Sequence, residues 1–223
     1  LIDATTSLGN QHNIVVQDGV SNTTIRDLSI DGTNKIFVGG DTDTNHGIRA
    51  ICSTGTPCEN IIVKNVNFSG TLQGIFFRQA NHCNIEGNTF NYSHLGGQQI
   101  YLSNSDYCTI TGNRHRTTGT GSAANAIDIN VRPDDPSEGV VYSNNTIDGD
   151  IRSEGINVSC LRCTVTGNVV KMTGVLSGTG IQVYEPGAPS VATVCQENVV
   201  SNNTIRIAST TVSRGIAIDS GAG

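Results

Sequence analysis

Apolar and polar residues alternate along most of this chain, in short runs interrupted by turn residues. One recurring run opens on Gly-Ile or a close variant, as in Gln73–Arg78, which reads QGIFFR. An apolar residue at every second position is typical of a β-strand with one buried face, whereas a helix needs apolar residues three or four positions apart. Copies of this run occur at 12–17, 46–51, 73–78, 98–103, 125–130, 154–159, 179–184 and 214–219.

A second recurring phrase pivots on Gly-Asn or Asn-Asn. It reads HCNIEGNTF at 82–90 and returns as YCTITGNRH at 107–115 and RCTVTGNVV at 162–170. Asn tolerates left-handed backbone angles and its amide can bond a neighbouring turn, so the phrase predicts two short strands joined at a sharp corner. The aligned copies predict a ladder of stacked amides formed by Asn88, Asn113, Asn145, Asn168 and Asn203.

Together the two phrases make a repeat of roughly 25 to 35 residues, the range typical of solenoid proteins. Three short strands cannot bury their inner faces alone, but they can do so when each strand stacks on its equivalent in the next repeat. We therefore predict an all-β fold, a right-handed parallel β-helix of about seven coils, as a single domain over residues 1–223. The chain starts at Leu1 without a leader, so we expect it to be a processed or excised part of a longer chain.

The seven cysteines fit this architecture better than they fit a catalytic or metal site. Cys83, Cys108 and Cys163 fall in one register, which predicts small inward-facing thiols that pack in the core. The spacing of Cys160 and Cys163 resembles half of a zinc site, but no second pair follows it, and a core role is favoured. Cys52 and Cys58 bracket a short loop and are the expected disulfide pair in an oxidising compartment.

Charge and composition exclude two classes of partner. The formal net charge is -6 and the pI is about 5.2, whereas a nucleic-acid-binding domain needs a basic stripe. No apolar run approaches the roughly 18 residues of a membrane-spanning helix, so the sequence predicts no membrane span.

The outward positions of the Gly-Ile runs form two rows along the predicted solenoid. The first row is Arg49, Phe76, Tyr101, Asp128, Asn157, Gln182 and Ala217, and the second is Ile51, Arg78, Ser103, Asn130, Ser159, Tyr184 and Asp219. Aromatic rings stack on sugars and arginines bind carboxylates, so this face predicts an extended polysaccharide as partner, although any solvated sheet is also polar outside. The expected substrate-binding residues are Arg49, Phe76, Arg78, Tyr101, Asn130, Arg132, Asn157, Gln182 and Tyr184.

Three long connections, 52–58, 132–139 and 185–195, border this face, and the second adds carboxylates to it. Glycoside hydrolysis needs two carboxylates, about 5 Å apart for retention or roughly 6.5–9.5 Å for inversion. The expected catalytic residues are Asp128, Asp134, Asp135 and Glu185. Lyase chemistry is the alternative, with Tyr101 as base and a nearby arginine that neutralises a uronate. Pro-Asp-Asp-Pro is also ordinary turn chemistry.

The segment 41–47, DTDTNHG, begins like a calcium-binding loop. Its Gly lies one position late, and Cys52 stands where the bidentate Glu belongs. We therefore expect no cofactor and no metal site beyond a weakly bound surface Ca²⁺.

The repeat phrases resemble the pectin-lyase-like superfamily of right-handed β-helices, especially phage tailspikes and polysaccharide lyases or hydrolases. TTIRDLSIDGTNK at 23–35 is similar to the phrase that follows the capping segment in those proteins. The Asp-Pro-His-Glu motif of related lyases is absent from the comparable stretch 76–79, and Arg206-Ile207-Ala208 lacks the lysine of polygalacturonases.

This resemblance implies a secreted, cell-surface or virion-associated protein, and its tailspike form implies a homotrimer. The favoured function is binding and cleavage of an extended polysaccharide along the Gly-Ile face. The alternative is a non-catalytic glycan-binding or structural module, adhesin-like or part of a virion.

Overall fold

The computed structural model describes residues 2–3, 13–32, 46–71, 73–92, 98–117, 123–130, 137–149, 151–173, 178–184, 197–208 and 213–219. These residues form 25 short strands and no helix, and thus none that is long and apolar enough to cross a membrane.

Three long parallel sheets run along the molecule. The Gly-Ile sheet contains β2 (Ile14–Val16), β5 (His46–Ile51), β9 (Gln73–Arg78), β13 (Ile100–Ser103), β16 (Ala123–Asn130), β19 (Ile151–Val158), β22 (Thr179–Tyr184) and β25 (Arg214–Asp219). The pre-ladder sheet, named for the asparagine ladder that follows it, contains β3 (Thr24–Arg26), β7 (Ile62–Lys64), β11 (Asn84–Glu86), β14 (Thr109–Thr111), β17 (Val141–Ser143), β20 (Thr164–Thr166) and β23 (Val199–Ser201).

The post-ladder sheet contains β1 (Ile2–Asp3), β4 (Ser29–Asp31), β8 (Asn67–Ser69), β12 (Thr89–Tyr92), β15 (Arg114–Thr117), β18 (Thr146–Gly149), β21 (Val169–Met172) and β24 (Thr204–Ile207). A small fourth sheet pairs β6 (Cys58–Glu59) with β10 (Ala80–Asn81).

The chain passes through the three long sheets in the same order in every repeat. It makes seven complete circuits, from β2–β3–β4 to β22–β23–β24, and β25 then opens an eighth. Each strand pairs in parallel with its equivalent one repeat later, as Ile48 with Ile75 and Ile75 with Ile100. The predicted parallel β-helix of about seven coils is confirmed.

The core explains why the repeated strand opens on glycine. Isoleucines of the Gly-Ile runs stack in register and are fully buried at Ile48, Ile75, Ile100, Ile156 and Ile181. A Cβ on Gly47 would lie 2.8 Å from the Phe68 ring, and one on Gly74 would lie 2.5 Å from the Phe90 ring. Glycine therefore admits the aromatic side chains of the post-ladder sheet.

Those aromatic side chains form a stack inside the solenoid. Phe68 and Phe90 lie 4.7 Å apart between ring centroids, and His115 continues the stack at 4.7 Å from Phe90. The Nδ1 of His115 lies 2.6 Å from the Oε1 of the buried Gln99. Burial lowers the pKa of His115 to about 3, so the ring is neutral at physiological pH.

The asparagine ladder is present in the predicted register. The backbone N–H and Nδ2 of Asn113 both donate to Oδ1 of Asn145, at 3.0 Å each, and Asn145 donates in the same way to Asn168 at 2.9 and 3.0 Å. The left-handed corner residue is the one before the ladder position, such as Gly112 with φ 64° or Asn144 with φ 58°. In Gly-Asn and Asn-Asn, the first residue therefore turns the chain and the second bonds along the axis.

The cysteines follow the prediction with one correction. Cys52 and Cys58 form the expected disulfide, and Cys83 and Cys108 are buried free thiols. A hydrogen bond with Cys83, together with burial, raises the pKa of the Cys108 thiol. Cys163 is buried as predicted but is not a free thiol. It is bonded to Cys160, since the left-handed corner at Arg162 brings the two Cα atoms to 6.2 Å.

Candidate functional site

The outer face of the Gly-Ile sheet carries the predicted first row in unbroken register. Consecutive pairings join Val15, Arg49, Phe76, Tyr101, Asp128, Asn157, Gln182 and Ala217. Neighbouring residues of the row are about 4.8 Å apart, the spacing of hydrogen-bonded strands. In the second row, Arg78 lies in register with Ile51 and Ser103, and Ser103 with Asn130.

An aromatic stack lies on this face. The ring of Phe76 lies between His46, at 4.6 Å, and Tyr101, at 4.9 Å, measured between ring centroids. Because β5 and β13 flank β9 on opposite sides, both faces of the Phe76 ring are covered, and the residue is only 8% exposed. A sugar cannot stack on Phe76 in this arrangement, which leaves only a ring edge for contact.

His46 belongs to this face, although the sequence pattern did not select it. Counting back from Arg49 in steps of two leads to Gly47, not to His46. The alternation fails there because a Cβ on Gly47 would point at the core ring of Phe68. His46 is fully buried next to Phe76, and the signal that remains in the sequence is a histidine before Gly-Ile.

A cavity of about 500 Å³ opens at the first coils of this face, lined by Val15, Val16, Gln17, Asp18, Arg49 and Ile51. The disulfide-closed loop 52–58 fixes one wall of the cavity. The backbone N–H of Ser53 donates to Oδ1 of Asp18 at 3.0 Å, and the Ser53 hydroxyl donates to Oδ2 at 3.1 Å. Arg49 thus supplies the cavity with a cation. Asp18 supplies an anion whose two oxygens already accept hydrogen bonds from Ser53.

The remaining predicted binding residues fall into two groups, one half-buried and one buried. Arg78, Tyr101 and Gln182 are half-buried, so part of each side chain reaches solvent. Asn157 is 8% exposed, and Ser103 of the second row is 2% exposed. The face is therefore more closely packed than an ordinary solvated sheet.

The structure describes only part of the predicted catalytic set. The backbone of Asp128 pairs with Tyr101 on one side and Asn157 on the other, which places Asp128 at the middle of the row. The structure does not describe the side chains of Asp128, Asn130 and Tyr184, nor any part of Arg132, Asp134, Asp135 and Glu185.

Most of the calcium-like segment 41–47 also lies outside the described residues. Among the described residues, no three His, Cys, Asp or Glu side chains converge on one point.

A charged cluster that sequence reasoning missed lies at a corner before the pre-ladder sheet. Oη of Tyr107 donates to Oε1 of Glu138 at 2.9 Å, and Arg162 donates to the same oxygen through Nε at 3.1 Å and through Nη2. The hydrogen bonds from Arg162 and Tyr107 lower the pKa of Glu138. The Tyr107 ring also stacks on His82, 5.4 Å away. Each residue comes from a different coil, so the cluster ties coils together.

No family model matches the sequence, and no curated protein matches it. Among solved structures, the Streptococcus pneumoniae surface protein and adhesin PfbA is similar over 91% of this chain, with 16% identity and a TM-score of 0.49. The chain spans 50% of the length of that structure. The fold assignment given above comes from the strand pairing of the chain itself.

Proposed function

We propose that this chain binds an extended acidic polysaccharide along the outer face of the Gly-Ile sheet. The observation that carries the proposal is the cavity at the first coils, where Arg49 follows Val15 in the in-register row. In the bound state the Arg49 guanidinium receives a sugar carboxylate, and the row guides the rest of the chain along the solenoid. A bidentate pair of this kind gives both affinity and orientation.

The shape of the face suits a polymer better than a small ligand. The row repeats about every 4.8 Å from coil to coil, so a linear ligand meets a new side chain at each coil. Tyr101 and Gln182 supply hydroxyl and amide groups, and Arg78 supplies a second cation one strand from Arg49. Phe76 contributes a ring edge only.

Two disulfides support action outside the cell. Cys52–Cys58 and Cys160–Cys163 belong to an oxidising environment such as a secreted or cell-surface protein. The resemblance of the repeat phrases to the pectin-lyase-like superfamily supports the same placement and a glycan as the partner. Under this proposal the chain is a carbohydrate-binding β-helix of the adhesin or tailspike type.

Cleavage of the bound polysaccharide is the second candidate function. The register favours it by placing Asp128 between Tyr101 and Asn157, at the middle of the row. Asp128 then supplies one carboxylate, and Asp134, Asp135 or Glu185 supplies the other. Binding does not depend on this step, so the two functions are separable.

The test compares acidic polysaccharides with their carboxyl-reduced counterparts by titration calorimetry. We expect carboxyl reduction and Arg49→Ala each to weaken binding about 10- to 100-fold, the effect of losing a charge-assisted hydrogen bond. Arg26→Ala is the matched control, because Arg26 is an exposed arginine on the pre-ladder sheet. Equal affinity of Arg49→Ala and wild type, or tight binding of the reduced polymer, contradicts the proposal.

A further inference from the structure

Two buried thiols occupy equivalent positions in neighbouring coils. Cys83 is 1% exposed and Cys108 is 0% exposed, and both carry thiols in this structure. Each cysteine directly follows a left-handed corner residue, His82 or Tyr107, with φ 54° in both cases. Because the two corners have the same backbone conformation, both cysteine side chains leave the backbone in the same direction, into the core.

The strand register makes the two cysteines direct neighbours. Asn84 pairs with Thr109, and these are the residues that follow the two cysteines. The backbone N–H of Thr109 donates to the carbonyl of Cys83 at 2.8 Å. The Cα atoms of Cys83 and Cys108 are thus about 4.8 Å apart, the spacing of hydrogen-bonded strands. Disulfide-bonded cysteines have Cα atoms roughly 4.4–6.8 Å apart, so the backbone already holds this pair at bonding distance.

Each of these thiols has the other as its one cysteine neighbour in the column. The position before Cys83 is Ile61 and the position after Cys108 is Val140, both fully buried. Among the described residues, every other cysteine is already bonded in a disulfide. The apolar neighbours therefore enclose the pair and leave it no competing partner.

The hydrogen bonds of the two thiols are weak and can be given up. Sγ of Cys83 donates to the carbonyl of Asn81 at 3.4 Å. Sγ of Cys108 lies 3.2 Å from the carbonyl of Ala80 and 3.4 Å from that of Asp106. The Asn81 and Asp106 carbonyls each also accept a backbone N–H, at 3.1 and 2.8 Å. Since a thiol is a weak donor, loss of the S–H groups leaves these two carbonyls bonded.

We propose that Cys83 and Cys108 form a third disulfide, which joins two neighbouring coils. The oxidant is a small-molecule disulfide such as oxidised glutathione. One cysteine thiolate attacks this disulfide and releases a thiol, and the second cysteine then displaces the other thiol from the mixed disulfide. The two cysteines lose two protons and two electrons in all, and the oxidant takes them up as it becomes two thiols.

The surroundings of the pair fit this reaction. The two disulfides of the structure belong to an oxidising environment, where every thiol of the chain meets the same oxidant. In the folded chain, the hydrogen bond with Cys83 and burial raise the pKa of the Cys108 thiol, which lowers its thiolate fraction. The exchange therefore takes place during folding, before the coils enclose the thiols.

The proposed bond constrains the chain differently from the other two. Cys52–Cys58 has a sequence separation of 6 and Cys160–Cys163 one of 3, so each closes a loop within one coil. Cys83 and Cys108 are 25 positions apart, which is a whole repeat. A disulfide that closes a longer loop removes more conformational freedom from the unfolded chain. The third bond therefore holds two coils to each other, which neither of the other two does.

The test refolds the reduced 223-residue protein in a buffer of reduced and oxidised glutathione. Cys195→Ser is present in every sample, because Cys195 lies outside the described residues and would add a thiol to the count. Digestion after glutamate gives fragment 60–86, whose only cysteine is Cys83, and fragment 87–138, whose only cysteine is Cys108. We expect no free thiol in the denatured protein and a linked pair of these two fragments, which a reductant separates.

Two controls accompany the digestion. Protein refolded with reduced glutathione alone should give the same two fragments unlinked. Cys83→Ala, refolded in the oxidising buffer, should leave one free thiol, at Cys108. Two free thiols at Cys83 and Cys108 after oxidative refolding overturn the proposal, and so does a disulfide from either residue to any other cysteine.

Thermal unfolding tests the same bond through its effect on stability. The difference in midpoint between the oxidised and the fully reduced protein is measured for the parent and for the double variant Cys83→Ala, Cys108→Ala. Both forms of the variant carry the same core substitutions and it retains the other two disulfides, so only the bond between coils distinguishes the two differences. We expect the difference to be about 6–14 °C smaller in the variant, the effect of closing a loop of this length. Equal differences in the two proteins overturn the proposal.

Discussion

The ring of Tyr101 stacks on the ring of Phe76 with their centroids 4.9 Å apart and their planes 3° from parallel. The two residues occupy the same position in neighbouring coils, in direct register. A ring on the outer face of this sheet therefore packs along the solenoid axis against the next ring. Aromatic residues of the row therefore stabilise the face by packing on one another.

Removing the Tyr101 ring should destabilise the fold, whereas removing its hydroxyl should not remove the stack. We expect Tyr101→Ala to lower the free energy of unfolding by about 2–4 kcal/mol, from lost apolar burial and ring stacking. Tyr101→Phe should recover most of that loss. Urea denaturation measures both variants, and equal losses would show that the hydroxyl, not the ring, supplies the stability.

Loss of one ladder asparagine should cost more than loss of an exposed one. Asn113→Ala removes the acceptor of two hydrogen bonds from Asn88, at 2.9 and 3.0 Å, and leaves those donors buried. A buried unsatisfied group costs about 1–3 kcal/mol, so we expect a loss of about 2–5 kcal/mol for the pair. Asn91→Ala, which removes an exposed amide bonded to Asn67 at 3.1 Å, should cost under about 1 kcal/mol. Similar losses in the free energy of unfolding for the two variants would show that the ladder is not a major source of stability.

Stability should fall with acid because of His115. Its pKa is about 3 in the fold, below the ordinary value of 6.5, so the unfolded chain binds the proton more readily. The stabilising effect of a neutral His115 is complete above pH 6.5 and is lost as the pH falls from 6.5 towards 3. The expected loss is up to about 1.4 kcal/mol per pH unit within that window.

His115→Phe provides the control for this pH dependence. The ring keeps the stack on Phe90 but does not titrate, so unfolding measured at pH 7 and pH 5 should differ less than in wild type. The variant also leaves Gln99 without its bond, so its stability at pH 7 should be lower. If the stability difference between pH 7 and pH 5 is the same in the variant and in wild type, the acid sensitivity arises from other groups.

Gly139 should be less replaceable than Gly112. Both have positive φ, 65° and 64°, so both alanine variants carry backbone strain of about 1 kcal/mol. A Cβ on Gly139 would lie 2.7 Å from Cδ1 of Tyr107, whereas the nearest atom to a Cβ on Gly112 is 4.0 Å away. Gly139→Ala should therefore displace the Tyr107 ring and cost about 1–3 kcal/mol more than Gly112→Ala in thermal or urea unfolding. Equal costs would indicate that the Tyr107 ring moves freely.

Asp128→Asn tests the proposed cleavage. If the protein cleaves its polysaccharide, Asp128→Asn should lower the rate of reducing-end release or of unsaturated product by at least about 100-fold, while affinity changes little. Asp148→Asn, an exposed carboxylate on the post-ladder sheet, is the control. Full activity of Asp128→Asn would remove Asp128 from the catalytic set, and binding without turnover would leave the chain a binding module.

The register of the fold was predictable from sequence, since the signals for it are local and repeated. Ile75 and Ile100 align by their Gly-Ile runs, and Asn113 and Asn145 align by their Gly-Asn and Asn-Asn corners. A shift by one residue would turn each strand inside out, so the alternation itself determines the pairing. The outward row that includes Tyr101 follows from the same alignment.

The parts that sequence did not predict depend on contacts between coils. The burial of Phe76 depends on the rings of His46 and Tyr101 in neighbouring coils, and nothing within QGIFFR indicates it. The bond between Cys160 and Cys163 depends on the left-handed corner between them, at a position where arginine gives no turn signal. The cavity at Arg49 needs the loop closed by Cys52 and Cys58 to hold Asp18 in place.

The unbroken register of the first row makes the length of the outer face depend on the number of coils. Each coil contributes one strand and one position of the row, so each additional coil would lengthen the face by about 4.8 Å. Duplication or deletion of coils can therefore lengthen or shorten such a surface in steps of one strand.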